Sequence, residues 1–249
     1  MRGPLAWQVA TLTDIRSETP SVRSFTFALP DFTPHLAGQH YDLRLTAQDG
    51  YQAQRSYSIA SEPMRTGEVV LTVDRIPDGE VSTYLHDVAV TGDRVELRGP
   101  IGGYFVWDAA LGGPLLLIAG GSGVVPLLAM LRHRAGAGSH VPTALVYSSR
   151  TRDDVIGFDE LDGLVTADPS LRVLHAFTRS QPPGWTGYAR RIDAEMLSDA
   201  LAGLGGPGGR PQVFICGPTL LVETAAEALI GLGLPAAQIK TERFGPTGA

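Results

Sequence analysis

Gly120, Gly121 and Gly123 stand between a wholly apolar run, Leu115 to Ala119, and a segment from Pro126 to Arg134 whose apolar residues recur at helical spacing. A buried strand, a glycine turn and a helix bring bare backbone and the positive end of a helix dipole to one point. That is the chemistry of an anion site, suited to phosphate oxygens. The loop Gly120-Gly121-Ser122-Gly123-Val124-Val125-Pro126 departs from the G-x-G-x-x-G fingerprint at Pro126, and glycine turns also join strand to helix with no ligand. Acyl transfer by Ser122 is excluded, because the G-x-S-x-G elbow needs glycine where Val124 stands.

A second group, Arg55-Ser56-Tyr57-Ser58, offers a guanidinium fork for phosphate, an aromatic face for stacking and hydroxyls for ring heteroatoms. In a strand Arg55 and Tyr57 face one side, Ser56 and Ser58 the other. Read alone, this group is more simply an ordinary strand with a surface arginine and a half-buried tyrosine. Cys216, at the end of the apolar run Val213 to Cys216, is the chain's one cysteine. It excludes an intramolecular disulfide and an iron-sulfur cluster held by four cysteines of this chain. If electrons move here, a flavin or another protein must carry them.

The elements that position these residues fall into two kinds. From Trp7 to about Arg98 the chain reads as strands, alternating at Val22 to Phe27, Tyr41 to Leu45, Val69 to Val73 and Val95 to Leu97, with one short helix over Val81 to Asp87 capped by Ser82. Such spacing predicts an antiparallel barrel or sandwich. After Gly112-Gly113-Pro114, apolar strands at 115–119, 144–147, 171–177 and 213–216 alternate with helical patterns at 126–134, 159–167, 193–201 and 219–230, and 238–244 adds a last strand. That rhythm predicts a parallel sheet covered on both faces. The reading is a β unit over 1–109 and an α/β unit over 110–249, with 203–209 a glycine-rich loop.

Composition sets the class. Of the residues, 43% are hydrophobic and 18% charged, so the chain is globular, and the net charge is -6. Up to residue 108 there are 9 basic and 14 acidic residues, and beyond it 11 and 12, so no basic unit emerges and nucleic acid is not an expected partner. The N-terminal segment lacks the apolar run of a signal peptide, and no stretch approaches bilayer length. A cytoplasmic monomer, with neither a membrane nor a metal in its function, is the expectation.

In chain order, Arg55-Ser56-Tyr57-Ser58, Asp78-Gly79-Glu80-Val81-Ser82-Thr83-Tyr84-Leu85, Gly120 to Pro126, Cys216-Gly217-Pro218 and Glu242-Arg243-Phe244 closely resemble the ferredoxin-NADP reductase superfamily. The resemblance spans nearly the whole chain. It implies an antiparallel FAD-binding β-barrel followed by a Rossmann-like parallel-sheet domain for NAD(P)H. Residue by residue, it assigns Arg55 to the FAD diphosphate, Tyr57 to packing on the flavin and Ser58 to a hydrogen bond near flavin N5, with Ser56 alongside. It assigns Gly79, Val81, Ser82 and Thr83 to a second diphosphate contact, and Val73 and Arg75 to the flavin edge. Gly121, Ser122, Gly123, Val124 and Pro126 would cradle the coenzyme diphosphate. Cys216, with Gly217 and Pro218, would lie near the nicotinamide carbon, positioning the ring rather than attacking it, and Phe244 would cover the flavin face where nicotinamide lands.

The strand end Val146 to Arg152 bears on the coenzyme. NAD sites often place a carboxylate there for the ribose 2'-hydroxyl, whereas NADP sites offer arginine to the 2'-phosphate. Ser149, Arg150 and Arg152 favour NADPH, with NADH possible. Asp153 and Asp154 follow, and the aromatic that many related sequences use for adenine is displaced from Gly157 to Phe158. The implied activity is an FAD-dependent NAD(P)H oxidoreductase that passes electrons to a ferredoxin or another separate acceptor protein. The alternatives are an NAD(P)H:flavin reductase acting on free flavin or small acceptors, and a non-catalytic flavin- or nucleotide-binding regulatory subunit.

Overall fold

The structure is a computed structural model that describes residues 5–205 and 210–244. The glycine loop at 203–209 lies partly outside the described residues, and the tail Gly245 to Ala249 wholly so. Seven elements build the first unit: β1 (Gln8–Ser17), β2 (Val22–Ala28), β3 (His40–Thr46), β4 (Gln52–Ser58), β5 (Glu68–Asp74), α1 (Glu80–Asp87) and β6 (Arg94–Ile101). The strands form one antiparallel sheet in the order β4-β3-β6-β1-β2-β5. Its two edges meet just beyond Ser58, where Ile59 bridges Leu71 and the Ala60 N–H donates to the Val70 carbonyl at 2.8 Å. Closure removes the exposed edges that an open sheet would carry. Phe25, Phe27, Tyr41, Leu43, Leu71 and Leu97 fill the interior, and α1 adds Val81 and Leu85 to the same core.

The helix α1 departs from expectation at its start. It begins at Glu80 with Gly79 as N-cap, and Ser82 lies inside the first turn. The Ser82 hydroxyl accepts from the Ile76 N–H at 3.2 Å and donates to the Gly79 carbonyl at 3.2 Å. A side chain on Gly79 would approach the Ser82 hydroxyl to 2.6 Å, so the serine folds back over a position that only glycine leaves open.

The second unit runs β7 (Leu115–Gly120), α2 (Val124–Gly136), β8 (Thr143–Ser149), α3 (Phe158–Ala167), β9 (Leu171–Phe177), α4 (Ala194–Ala202), β10 (Gln212–Pro218), α5 (Thr219–Gly231) and β11 (Ile239–Phe244). The strands are parallel, ordered β11-β10-β7-β8-β9. Every residue of β7 and β8 is buried, as unbroken apolar runs require of central strands. Leu115, Leu117 and Ala119 pack with α2 and α3 on one face, while Leu116 and Ile118 pack with α4 and α5 on the other. From Val124 to Leu131, α2 is buried all round, because it lies between its own sheet and the barrel residues Val22, Ala37, Ala60, Phe105 and Trp107. Its sequence is apolar on every side for that reason.

Candidate functional site

On the barrel, β4 delivers the arginine and α1 the backbone donors. Arg55 is exposed, its Nη1 donates to the Gln54 carbonyl at 2.7 Å, and it forms no ion pair among the described residues. The Tyr51 hydroxyl donates to the Glu80 carboxylate at 2.9 Å and holds the first turn of α1 against the start of β4. The leading N–H groups of that helix have no partner within it. An uncommitted guanidinium beside a helix N-terminus fits a diphosphate. Tyr57 is half-buried; burial, opposed by Arg55, pushes its phenol up to about 12, so it is a neutral aromatic surface. Ser58 ends β4, opposite His40 on β3.

The other barrel residues read from the sequence are committed elsewhere. The Ser56 hydroxyl donates to Asp42 at 2.6 Å, and Arg98 donates to the other oxygen of that carboxylate at 2.7 Å. Burial opposes ionisation of Asp42, yet the hydrogen bonds from Ser56 and Arg98 hold its carboxyl below the usual range. Val73 is 1% exposed and belongs to the barrel core. Arg75 spends its fork on Asp87, at 3.1 and 2.7 Å.

At the carboxyl edge of the parallel sheet, the three glycines of the loop divide the work. A Cβ on Gly123 would fall 2.2 Å from the Cys216 carbonyl oxygen, and one on Gly120 would fall 2.6 Å from Leu221 and 3.0 Å from Pro218. Gly123 is therefore required by packing of the loop onto the backbone at the end of β10, while Gly120 is held tight against Pro218 and the yielding tip of Leu221. Gly121 alone, at φ +54 with no atom within 4 Å of its missing Cβ, faces open space. Ser122 is half-buried beside it. The loop is one 3-10 turn running into α2 at Val124, and Pro126 sits in the first helical turn, where a missing N–H breaks no helical bond. Two hydroxyls near this edge, Ser149 at the end of β8 and Thr219 at the start of α5, are buried without a hydrogen-bond partner. A ligand with acceptor oxygens fits such a cradle.

The sheet register assembles the remaining residues. Cys216 on β10 lies opposite Glu242 on β11, and Pro218 lies opposite Phe244. Alternation puts Phe214, Cys216, Lys240, Glu242 and Phe244 on one face. That face looks toward the barrel, since Phe105 packs edge-on against Phe214 at 5.3 Å and Lys240 donates to the Val106 carbonyl at 3.3 Å. Burial, then the charge of Glu242, pushes the Cys216 thiol far up, so it stays neutral and is no nucleophile. Burial lifts the Glu242 carboxyl to about 7. Phe244 is 37% exposed at the strand end. The motif Glu242-Arg243-Phe244 assigns a role to Phe244 and none to Glu242; the position of Glu242 beside Cys216 follows only from the register.

At the end of β8, Arg150 is exposed and its carbonyl accepts the N–H groups of Arg179 at 2.9 Å and Ser180 at 3.2 Å. The Arg152 guanidinium lies 4.3 Å from the centre of the Phe158 ring, which in turn stacks on His175 at 5.5 Å. Asp154 is turned back, accepting from the Thr151 N–H at 3.0 Å and hydroxyl at 2.8 Å. Of the two neighbouring acids, only Asp153 is left exposed.

Comparisons with known proteins agree with this layout. The family model of the oxidoreductase FAD-binding domain matches residues 9–106, and that of the oxidoreductase NAD-binding domain matches 117–227. Ferredoxin--NADP reductase B of Sorangium cellulosum is 35% identical over 242 residues, which cover 94% of this chain and 96% of that protein. The glycine betaine monooxygenase reductase subunit of Chromohalobacter salexigens is 32% identical over 93% of this chain, which spans only 62% of that longer relative. Among solved structures, a ferredoxin NADP+ reductase from Neisseria gonorrhoeae with bound FAD and NADP superposes with a TM-score of 0.80, at 22% identity, over 95% of this chain and 98% of that one.

Proposed function

The chain belongs to the ferredoxin-NADP reductase family, and from that premise we propose that it oxidises NADPH, with NADH as the second choice, through bound FAD, and hands the electrons to a ferredoxin or another separate redox protein. The observation that carries this reading is the face shared by Cys216, Glu242 and Phe244, turned from the parallel sheet toward the barrel. When bound, FAD supplies an acceptor for hydride and a donor of single electrons. The chain's own part is to hold, orient and shield. Arg55 and the first turn of α1 would bind one diphosphate, and Gly121 with the start of α2 the other. Ser58 would orient the flavin from the end of β4. Neutral Cys216 would form a wall of the nicotinamide site, Glu242 would hold a proton there near neutral pH, and Phe244 would exclude water.

The exposed Arg150, and Arg152 on Phe158, support NADPH. We divide the chain into 1–109 and 110–249, a boundary supported by the limits of the two family matches. A cytoplasmic monomer is the proposed setting. No helix among the described residues is long and apolar enough to cross a membrane.

The test is anaerobic bleaching of the FAD-loaded protein by each coenzyme, followed by reoxidation with ferredoxin, cytochrome c or free FMN. Faster bleaching by NADPH and reoxidation by a protein acceptor are expected. Failure of both coenzymes to bleach the flavin refutes the oxidoreductase reading, and turnover with free FMN alone replaces the protein acceptor with free flavin.

A further inference from the structure

Arg132 lies on α2, whose first turn follows the coenzyme loop, and its guanidinium reaches out of the parallel-sheet unit altogether. Nη1 donates to the carbonyl of Ala60, on the barrel. Nε and Nη2 grip the Glu160 carboxylate of α3 at 2.7 and 2.6 Å. The Arg132 side chain is only 21% exposed. Ala60 stands two residues beyond Ser58, at the seam where β4 closes on β5. A single rigid helix therefore spans from the coenzyme loop at Val124 to a barrel contact beside the flavin strand, a reach of about 12 Å at the helical rise.

We infer that Arg132 is a positioning residue for hydride transfer: by clamping Ala60 to α2 and α3 it sets the separation between the nicotinamide site and the flavin site. The inference rests on the oxidoreductase reading above. Elsewhere the two units share an apolar cluster in which Val22, Ala37, Ala60, Phe105 and Trp107 join the buried residues of α2, and apolar contact is non-directional and tolerates sliding. At the unit boundary the Ala109 N–H donates to His133 Nε2 of α2 at 3.3 Å, a single bond to the linker rather than to the flavin strand. A forked guanidinium fixes distance and angle together. Stability alone is a weak reason to keep it, since a buried ion pair roughly balances its desolvation cost. Hydride transfer is where such precision has an effect, because reacting atoms must meet within about 3–3.5 Å and a 1 Å misplacement can cost about 10²-fold in rate. A second tie lies on the far side, where Lys240, two residues before Glu242, donates to Val106 and the Tyr104 hydroxyl donates to the Ile239 carbonyl at 3.4 Å. Arg132 thus fixes the side nearer Ser58.

The experiment compares FAD-loaded wild type, Arg132→Ala, Arg132→Lys and Glu160→Gln. At saturating NADPH the limiting rate of anaerobic bleaching should fall about 10- to 100-fold in Arg132→Ala, with KM and FAD affinity changed less than about threefold, and Arg132→Lys should recover part of the loss. Deuterium at the transferring position of the coenzyme should slow the variant at least as much as the wild type, as expected when chemistry limits. Apart from turnover, spin labels on Gln48→Cys and Thr166→Cys in the FAD-free protein should give one narrow distance distribution that broadens on Arg132→Ala. An unchanged limiting rate, or a loss fully explained by lost FAD, overturns the inference, as does an unchanged distance distribution. If Arg132→Ala does not fold, Arg132→Lys and Glu160→Gln are read by the same criteria. A wild type that neither coenzyme bleaches refutes the oxidoreductase reading itself, whereas a wild type that bleaches no faster than its variants refutes only the role of Arg132.

Discussion

Cys216 on β10 and Glu242 on β11 occupy the same register position of adjacent parallel strands, on the face turned to the barrel. Burial lifts the Glu242 carboxyl to about 7, while in the unfolded chain it ionises near 4.3. Between those values the unfolded state has released a proton that the native state still holds, so native stability falls as pH rises through that window. The Glu242 contribution is therefore lost between about pH 4.5 and pH 7, so the thermal midpoint of the wild type relative to that of Glu242→Gln should fall across this window, while His35, His40 and His175, whose pKa values burial lowers, push both proteins the other way. Parallel pH profiles for the two proteins would show that Glu242 is not the group responsible.

The glycine loop separates a packing role from a binding role. Gly123→Ala must push its methyl group against the Cys216 carbonyl, 2.2 Å away, and neither backbone can yield cheaply. We expect a loss of about 1–3 kcal/mol or more, the scale of overpacking in a close-packed core, together with weakened coenzyme binding. Gly121→Ala meets no atom and suffers only its positive φ of 54, a cost of about 1–2 kcal/mol for a left-handed alanine. Because Gly121 faces the open side of the cradle, its coenzyme affinity should fall by more than its stability explains. Thermal midpoints and coenzyme titrations of both variants check this, and a Gly121→Ala protein whose coenzyme affinity falls no further than its lost stability explains would contradict the division.

Several features of the fold were legible because they are local. Leu115 to Ala119 is apolar at every position, and the central strand it predicts is β7; the alternation at Val22 to Phe27 corresponds to β2. Four of the residues assigned to the flavin site have protein partners or surroundings that the pattern does not show, and of these only the capping role of Ser82 is overturned. Ser82 sits where a cap residue would, yet its hydroxyl is drawn back to Gly79 and Ile76 by a turn that spacing does not reveal. Ser56 and Arg75 answer to Asp42 and Asp87, and Val73 disappears into the barrel. Glu242 was quoted within its motif but given no function, because its environment is created by strand order. Arg132 resembles any surface arginine late in a helix until Ala60 is found at its tip.

Arg55 is the barrel arginine left uncommitted at the α1 end, whereas Arg75 is already held by Asp87. Arg55→Ala should weaken FAD by about 1.5–3 kcal/mol, the value of a charge-assisted hydrogen bond, or roughly 10- to 100-fold in Kd. Arg75→Ala should change FAD affinity much less and lower the thermal midpoint slightly, since its ion pair with Asp87 is exposed. FAD titration of both apoproteins makes the comparison, and equal weakening by the two substitutions would remove the special place given to Arg55.

Arg150 and Arg152 differ in what else they touch, and that difference predicts different coenzyme behaviour. Arg150 is exposed with its carbonyl pinning the loop at Arg179 and Ser180, so truncating its side chain leaves the backbone arrangement in place. Arg150→Ala should therefore lower kcat/KM for NADPH about tenfold, near the 1.4 kcal/mol lower range of a lost charge-assisted contact, and leave NADH almost unchanged. Arg152 rests on Phe158, which stacks on His175. Its removal exposes the aromatic face and should weaken binding of both coenzymes through the adenine end, with a smaller preference between them. The measurement is the ratio of kcat/KM for NADPH to that for NADH in each variant. A ratio that Arg150→Ala leaves unmoved would mean that the 2'-phosphate is not read at this strand end, and the preference for NADPH would lose its structural support.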